Sequence, residues 1–178
     1  MKLTNEQSLC LEQLKDNPRA LIRGTAGTGK TLLALEAAKN AISNGERVAF
    51  FCFNRLLGDW LKSIFDDLPF EQQPMFIGTF HSYMIKLLNS RGIKISEPSD
   101  LANLEQYYKF DLPNKVVEVC KSKPVVYDKI IIDEAQDLVT NEYLDVLDYS
   151  LLGGLARGHW LMFGIKRSSY LALQNLLC

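Results

Sequence analysis

Gly24-Thr25-Ala26-Gly27-Thr28-Gly29-Lys30-Thr31 follows a short apolar run, Ala20 to Arg23, and opens a helical pattern, Lys30 to Ser43. It matches G-x-x-x-x-G-K-[ST] in the strand, loop and helix context that a phosphate-cradling loop needs. Glycines let backbone N–H groups curl around phosphate oxygens, and the following helix aims its positive dipole end at the same anion. Lys30 would reach the β- and γ-phosphates, and the Thr31 hydroxyl would bind Mg²⁺. The bland alternative is a glycine-rich turn with a solvated lysine, but a mere turn does not call for three glycines followed by Lys-Thr in this register.

Outward from the loop, strand and helix patterns alternate, which predicts an α/β domain with a mostly parallel sheet flanked by helices. Strands are expected at Ala20 to Arg23, Val48 to Phe53, Met75 to Ile77, Lys129 to Ile132 and Trp160 to Phe163. Each is short, apolar and rich in branched or aromatic residues, as suits burial on both faces. Helices are expected over Thr4 to Lys15, Lys30 to Ser43, Arg55 to Phe65, Phe80 to Leu88 and Asn141 to Tyr149. The stretch 89–128 is the least regular, with Pro98, Pro113, Pro124 and the cluster Tyr107-Tyr108-Phe110, and reads as a small, partly helical insertion.

The fourth strand delivers two acids at its carboxyl end, in Asp133-Glu134-Ala135-Gln136-Asp137. Ligands of open α/β sheets bind at such ends. Asp133 would hold Mg²⁺ together with Thr31, and Glu134 would orient or deprotonate the water that attacks the γ-phosphate. Alone, the acids could simply cap a helix. A phosphate loop on the same sheet favours the catalytic reading.

Composition bounds the partners. Of 178 residues, 47% are hydrophobic and 23% charged, with 20 Lys and Arg against 21 Asp and Glu, giving a net charge of -1. One domain of ordinary composition is expected, and any polyanion site must be local. The four cysteines form no C-x-x-C pair and only two histidines are present, so a zinc cluster lacks ligands. Neither a signal peptide nor a spanning segment is visible, so no membrane partner and a cytoplasmic location are expected.

With these motifs in place, most of the chain resembles the first RecA-like P-loop domain of UvrD/Rep-like superfamily I helicases. The resemblance implies an ATP-binding motor domain over 1–164, with 89–128 inserted. Asp133 to Asp137 is similar to the family's D-E-x-Q-D motif, which puts Gln136 at the nucleotide as well. Thr4-Asn5-Glu6-Gln7 resembles the leading glutamine motif, whose amide pairs with adenine; Thr4 and Gln7 also spell a helix capping box. Phe53-Asn54-Arg55 resembles a DNA-contacting segment in which an aromatic stacks a base and a cation meets phosphate. The alternative packs Phe53 in the sheet and uses Asn54 as a cap. Thr79-Phe80-His81 resembles a second nucleic-acid segment; otherwise Thr79 caps a helix, Phe80 is core and His81 a satisfied polar residue.

The resemblance fails after Gly164. The family continues with an Asp and then a Gln that sense the γ-phosphate, whereas Ile165-Lys166-Arg167-Ser168-Ser169-Tyr170 offers neither. Residues 165–178 therefore read as a divergent tail, as in a truncated, frameshifted or otherwise altered product. No second motor domain, with its arginine finger, follows in this sequence; such fingers contribute 10³ to 10⁵ in rate, about 4–7 kcal/mol. The expectation is Mg²⁺-ATP binding, weak hydrolysis, weak contacts to single-stranded nucleic acid (DNA ahead of RNA) and no unwinding alone. A second motor domain or partner chain would complete the machine. The competing readings are a nucleotide-responsive interaction module, a small kinase, and a remnant that merely folds.

Overall fold

The computed structural model describes residues 3–25, 27–137 and 140–164. Ala26 and the tail 165–178 lie outside the described residues. Five strands, β1 (Arg19–Ile22), β2 (Val48–Cys52), β3 (Phe76–Thr79), β4 (Lys129–Ile132) and β5 (His159–Phe163), form one sheet in the order β1-β5-β4-β2-β3. Every neighbouring pair is parallel, so each connection must cross over a face of the sheet.

The chain winds outward from β1 to β3 with α1 (Asn5–Lys15), α2 (Lys30–Ser43) and α3 (Arg55–Asp66) on one face. It then returns through β4 and β5 with α4 (Phe80–Ser90), α5 (Leu101–Gln106), α6 (Leu112–Ser122), α7 (Asn141–Ser150) and the short α8 (Gly154–Arg157) on the other. Alternation within the strands supplies both cores. Phe50, Ile131, Leu161 and Phe163 pack with Ala38, Leu61 and Phe65 on the first face. Phe51, Ile130, Ile132 and Met162 pack with Phe80, Met84 and Leu144 on the second. The runs of β2, β4 and β5 are thereby buried on both sides, as suits a parallel sheet, whereas the edge strands β1 and β3 are covered only in part.

In the stretch 89–128, Asp100 caps α5, accepting from the Asn103 backbone at 2.9 Å. A π-helical turn, Tyr107–Asp111, joins α5 to α6. Tyr107, Leu112, Val116 and Cys120 are buried in the same core as β2 and β4. α6 packs on α4 and α7. The strands differ from expectation at their ends. β1 begins at Arg19, because pairing with β5 starts at Arg19 opposite Trp160. β3 runs on to Thr79, held by its register with Cys52. Among the described residues no helix is long and apolar enough to cross a membrane.

Candidate nucleotide and nucleic-acid site

The carboxyl ends of all five strands share one edge, and the predicted site residues gather along it in two groups. At one end the loop after β1 meets the acids after β4. Thr31 Oγ1 donates to Asp133 Oδ2 at 2.6 Å, joining residues 102 positions apart. Asp133 Oδ1 accepts from the Glu134 backbone at 3.1 Å. Asp133 is 0% exposed, and burial raises its pKa above the ordinary carboxylate value. A divalent cation beside Thr31 and Asp133 fits this donor set, since it would offset the cost of a buried carboxylate.

Lys30 starts α2 and its Nζ donates to the carbonyls of Gly24 and Thr25, each at 3.0 Å. The ammonium is thus held over the loop, where phosphate oxygens could replace those carbonyls as acceptors. The loop itself is shaped for glycine. Gly29 has φ +80, and a Cβ there would fall on the Gln7 amide nitrogen; one at Gly24 would lie 2.7 Å from Thr28 Oγ1. Thr25 and Thr28 close a turn, with Thr28 Oγ1 donating to the Thr25 carbonyl at 2.9 Å.

Gln7 serves two partners. Its Oε1 accepts from Thr4 N at 3.0 Å, Thr4 Oγ1 accepts from Gln7 N at 3.2 Å, and Gln7 Nε2 donates to the Thr28 carbonyl at 3.2 Å. The capping box therefore forms, and the same amide tethers α1 to the phosphate loop. Each end of the amide keeps capacity for one more bond, so capping does not exclude a base edge.

Glu134 adopts φ 54, the one non-glycine with positive φ among the described residues. That conformation is uncommon for a side chain of this size. Gln136, in the 3-10 turn Ala135–Asp137, donates Nε2 to Glu134 Oε2 at 2.6 Å and so holds the carboxylate in place. Gly164, at the end of β5, donates its N–H to the Ile22 carbonyl at 3.0 Å. A Cβ at Gly164 would crowd both Gln136 Oε1 and Glu134 Oε2, so β5 brings its carboxyl end between loop and acids.

At the other end, β2 and β3 deliver the two segments expected to contact nucleic acid. Phe53 is 53% exposed rather than packed in the sheet. Asn54 caps α3, its Oδ1 accepting from Leu57 N at 2.8 Å, and Arg55 is exposed in the first turn. Thr79 caps α4, accepting from Ser82 N at 3.2 Å. A cavity of about 110 Å³ lies between these turns, lined by Arg55, Lys62, Thr79 and Ser82 among others. Phe80 is a correction to the expected contact set. It is 2% exposed, with its ring 5.2 Å from Phe51 edge-on, and it offers no face to a base. A helix that starts at Phe80 on a buried strand must turn that side chain into the core.

His81 Nε2 lies 2.6 Å from the Tyr143 hydroxyl, which also donates to the Tyr108 carbonyl at 3.2 Å. The ring stands 4.7 Å from that of Tyr108, and burial lowers its pKa. Neither tyrosine is predicted from sequence, because no spacing rule links position 81 to 108 and 143. A cavity of about 360 Å³ at the opposite edge of the sheet, lined by Lys15, Glu46, Lys129 and His159 among others, is remote from all these residues.

No curated protein matches the chain. The family model described as Type III restriction enzyme, res subunit, matches residues 1–152, a span that holds the phosphate loop, the acidic motif and both strand-end segments. With 152 of 178 residues matched on an all-parallel α/β sheet, the chain belongs to the type III restriction enzyme res subunit family and is an ATP-binding motor domain of helicase type.

Proposed function

We propose that this chain is the first motor domain of a helicase resembling the UvrD/Rep branch, binding Mg²⁺-ATP at one end of the sheet edge and a single strand at the other. The observation that carries the reading is the 2.6 Å bond between Thr31 and Asp133, which brings loop and acidic strand into one site. In this reading residues 1–164 are the motor, 89–128 an insertion packed on its core, and 165–178 a divergent tail. The match to a restriction-enzyme family supports DNA over RNA as the strand. Three thiols, Cys10, Cys52 and Cys120, are free, which suits a reducing compartment such as the cytoplasm.

The residues divide the work. Backbone N–H groups of 24–29 and Lys30 bind phosphate, and Gln7 offers its amide to the base while fixing the loop. Thr31 and Asp133 would hold Mg²⁺, which when bound neutralises phosphate charge. Glu134 accepts a proton from the attacking water, and Gln136 keeps its carboxylate aimed. Phe53 stacks a base, Arg55 meets the backbone, and the second turn, capped by Thr79 and supported by His81, borders the strand. An arginine finger supplied by a second motor domain or a partner chain would raise turnover about 10³- to 10⁵-fold.

A titration of a fluorescent ATP analogue with Mg²⁺ tests the site. Lys30→Ala should bind about 10- to 150-fold more weakly, the loss of a charge-assisted hydrogen bond; equal affinity would overturn the reading. The lack of Asp and Gln in Ile165-Lys166-Arg167-Ser168-Ser169-Tyr170 favours a second reading, a nucleotide-responsive module acting through a partner chain. Phosphate release that single-stranded DNA stimulates supports the motor; tight ATP binding with silent turnover supports the module.

A further inference from the structure

Three segments meet at one oxygen. The Tyr143 hydroxyl, in the first turn of α7, touches His81 of α4 at 2.6 Å and the Tyr108 carbonyl of the π-turn at 3.2 Å. The contact is reinforced by packing, with the Tyr143 ring 5.0 Å from that of Phe80. The π-turn is anchored from outside as well, since Tyr108 Oη donates to Glu97 Oε1 at 2.7 Å. Turns of this kind are rare and cluster at functional sites.

A phenol has one hydrogen, and a carbonyl can only accept. Both bonds to Tyr143 therefore form together only if His81 carries its hydrogen on Nε2 and donates to the Tyr143 oxygen, whose own hydrogen goes to Tyr108. With the hydrogen on Nδ1 alone, Tyr143 must donate to Nε2 and the Tyr108 carbonyl loses its partner. The hydroxyl thus has two discrete arrangements, which is what transmission between sites requires. Its two ends are placed to use them. His81 follows Thr79 and Phe80 directly at the β3 end, and Tyr143 lies just past Thr140, the cap of α7, on the chain leaving the acidic motif.

We propose that Tyr143 is a positioning residue that couples the strand-contacting turn at Thr79–His81 to the segment carrying Asp133 and Glu134, through its paired bonds to His81 and Tyr108. This inference rests on the nucleotide and strand sites assigned above, touches neither ligand directly, and makes the π-turn the fixed point against which the two turns move.

The test is nitrogen-proton NMR of the imidazoles, with His159→Gln to assign the two histidines, in the parent and in Tyr143→Phe, which keeps the ring against Phe80. The parent should show neutral His81 with its hydrogen on Nε2; an Nδ1–H tautomer would overturn the relay without any variant. Mg²⁺ with a non-hydrolysable ATP analogue should shift the His81 signals in the parent and leave them unmoved in Tyr143→Phe, while calorimetry gives both the same nucleotide affinity. Single-strand stimulation of turnover should fall about 2- to 30-fold in the variant, the span of a coupling energy of this kind. If both proteins bind nucleotide and His81 responds equally, the relay fails and the nucleotide site stands. If neither binds, the nucleotide site fails and the coupling falls with it.

Discussion

The two ends of the sheet edge spend their polar atoms differently. At the β1 and β4 end, Thr31, Asp133, Glu134 and Gln136 bond to one another, so the groups that would meet nucleotide are already aimed. At the β2 and β3 end, Asn54 and Thr79 are consumed as helix caps and Phe80 by the core, leaving Phe53 and Arg55 exposed. Charge transfer needs preorganised groups, whereas a sliding strand needs only a ring and a cation. A motif residue is therefore a ligand contact here only where the fold has left it over.

The sharpest way to break this contrast is Phe80→Ala. If Phe80 is core, the variant loses about 3–5 kcal/mol of stability in chemical denaturation, and strand and nucleotide binding fail together as it unfolds; selective loss of strand binding by a stably folded variant would restore it as a contact.

Asp133→Asn should lower turnover about 10²-fold, roughly 3 kcal/mol of transition-state stabilisation. Its stability should move the other way. Because burial raises the Asp133 pKa, the folded chain holds that proton more tightly than the unfolded one. The contribution therefore favours folding below the ordinary value of 3.8 and is lost as pH rises through the folded value. Asn can accept from Glu134 N and donate to Thr31, so the variant should melt above the parent at neutral pH, by about 2–4 °C for each kcal/mol recovered. Calorimetry should show the gap closing as pH falls toward the carboxylate range.

Phe53→Ala should weaken single-strand binding by about 1–3 kcal/mol in fluorescence anisotropy with nucleotide affinity unchanged. Asn54→Ala should cost about 1 kcal/mol of stability as a lost cap, read by thermal melting, with strand affinity preserved. The smallest effect is Arg55→Ala, which should reduce the salt slope of strand binding by about one.

Much of this was legible because the deciding signals are local. The phosphate loop, the acids after a run of isoleucines, and both caps are readable from neighbours in the chain, and Thr4 with Gln7 forms the capping box that their spacing predicts. The stretch 89–128 was hard to read for a definite reason. A π-turn shifts helical phase, so the buried residues Tyr107, Leu112, Val116 and Cys120 do not keep one 3.6-residue period. Long-range side-chain pairs left no trace at all. The bidentate pair of Arg47 with Asp128, at 2.9 and 2.8 Å, ties the start of β2 to that of β4, and the His81–Tyr143 contact exists only once α4 and α7 share a face. Phe53 shows the limit of composition: an aromatic at a strand end reads equally as core or contact, and the geometry of the edge decides.

Strand order has a consequence for synthesis. Among the described residues β1 is bonded only to β5, and β5 follows the other four strands in the chain. The phosphate loop therefore hangs from a strand with no neighbour until Phe163 has emerged, roughly 7–30 s after Ile22 at ordinary elongation rates. β2, β3 and β4 can meanwhile assemble as a three-stranded unit. A nascent chain would thus complete the β2, β3 and β4 part of the sheet edge well before β1 and the loop that follows it gain their partner strand.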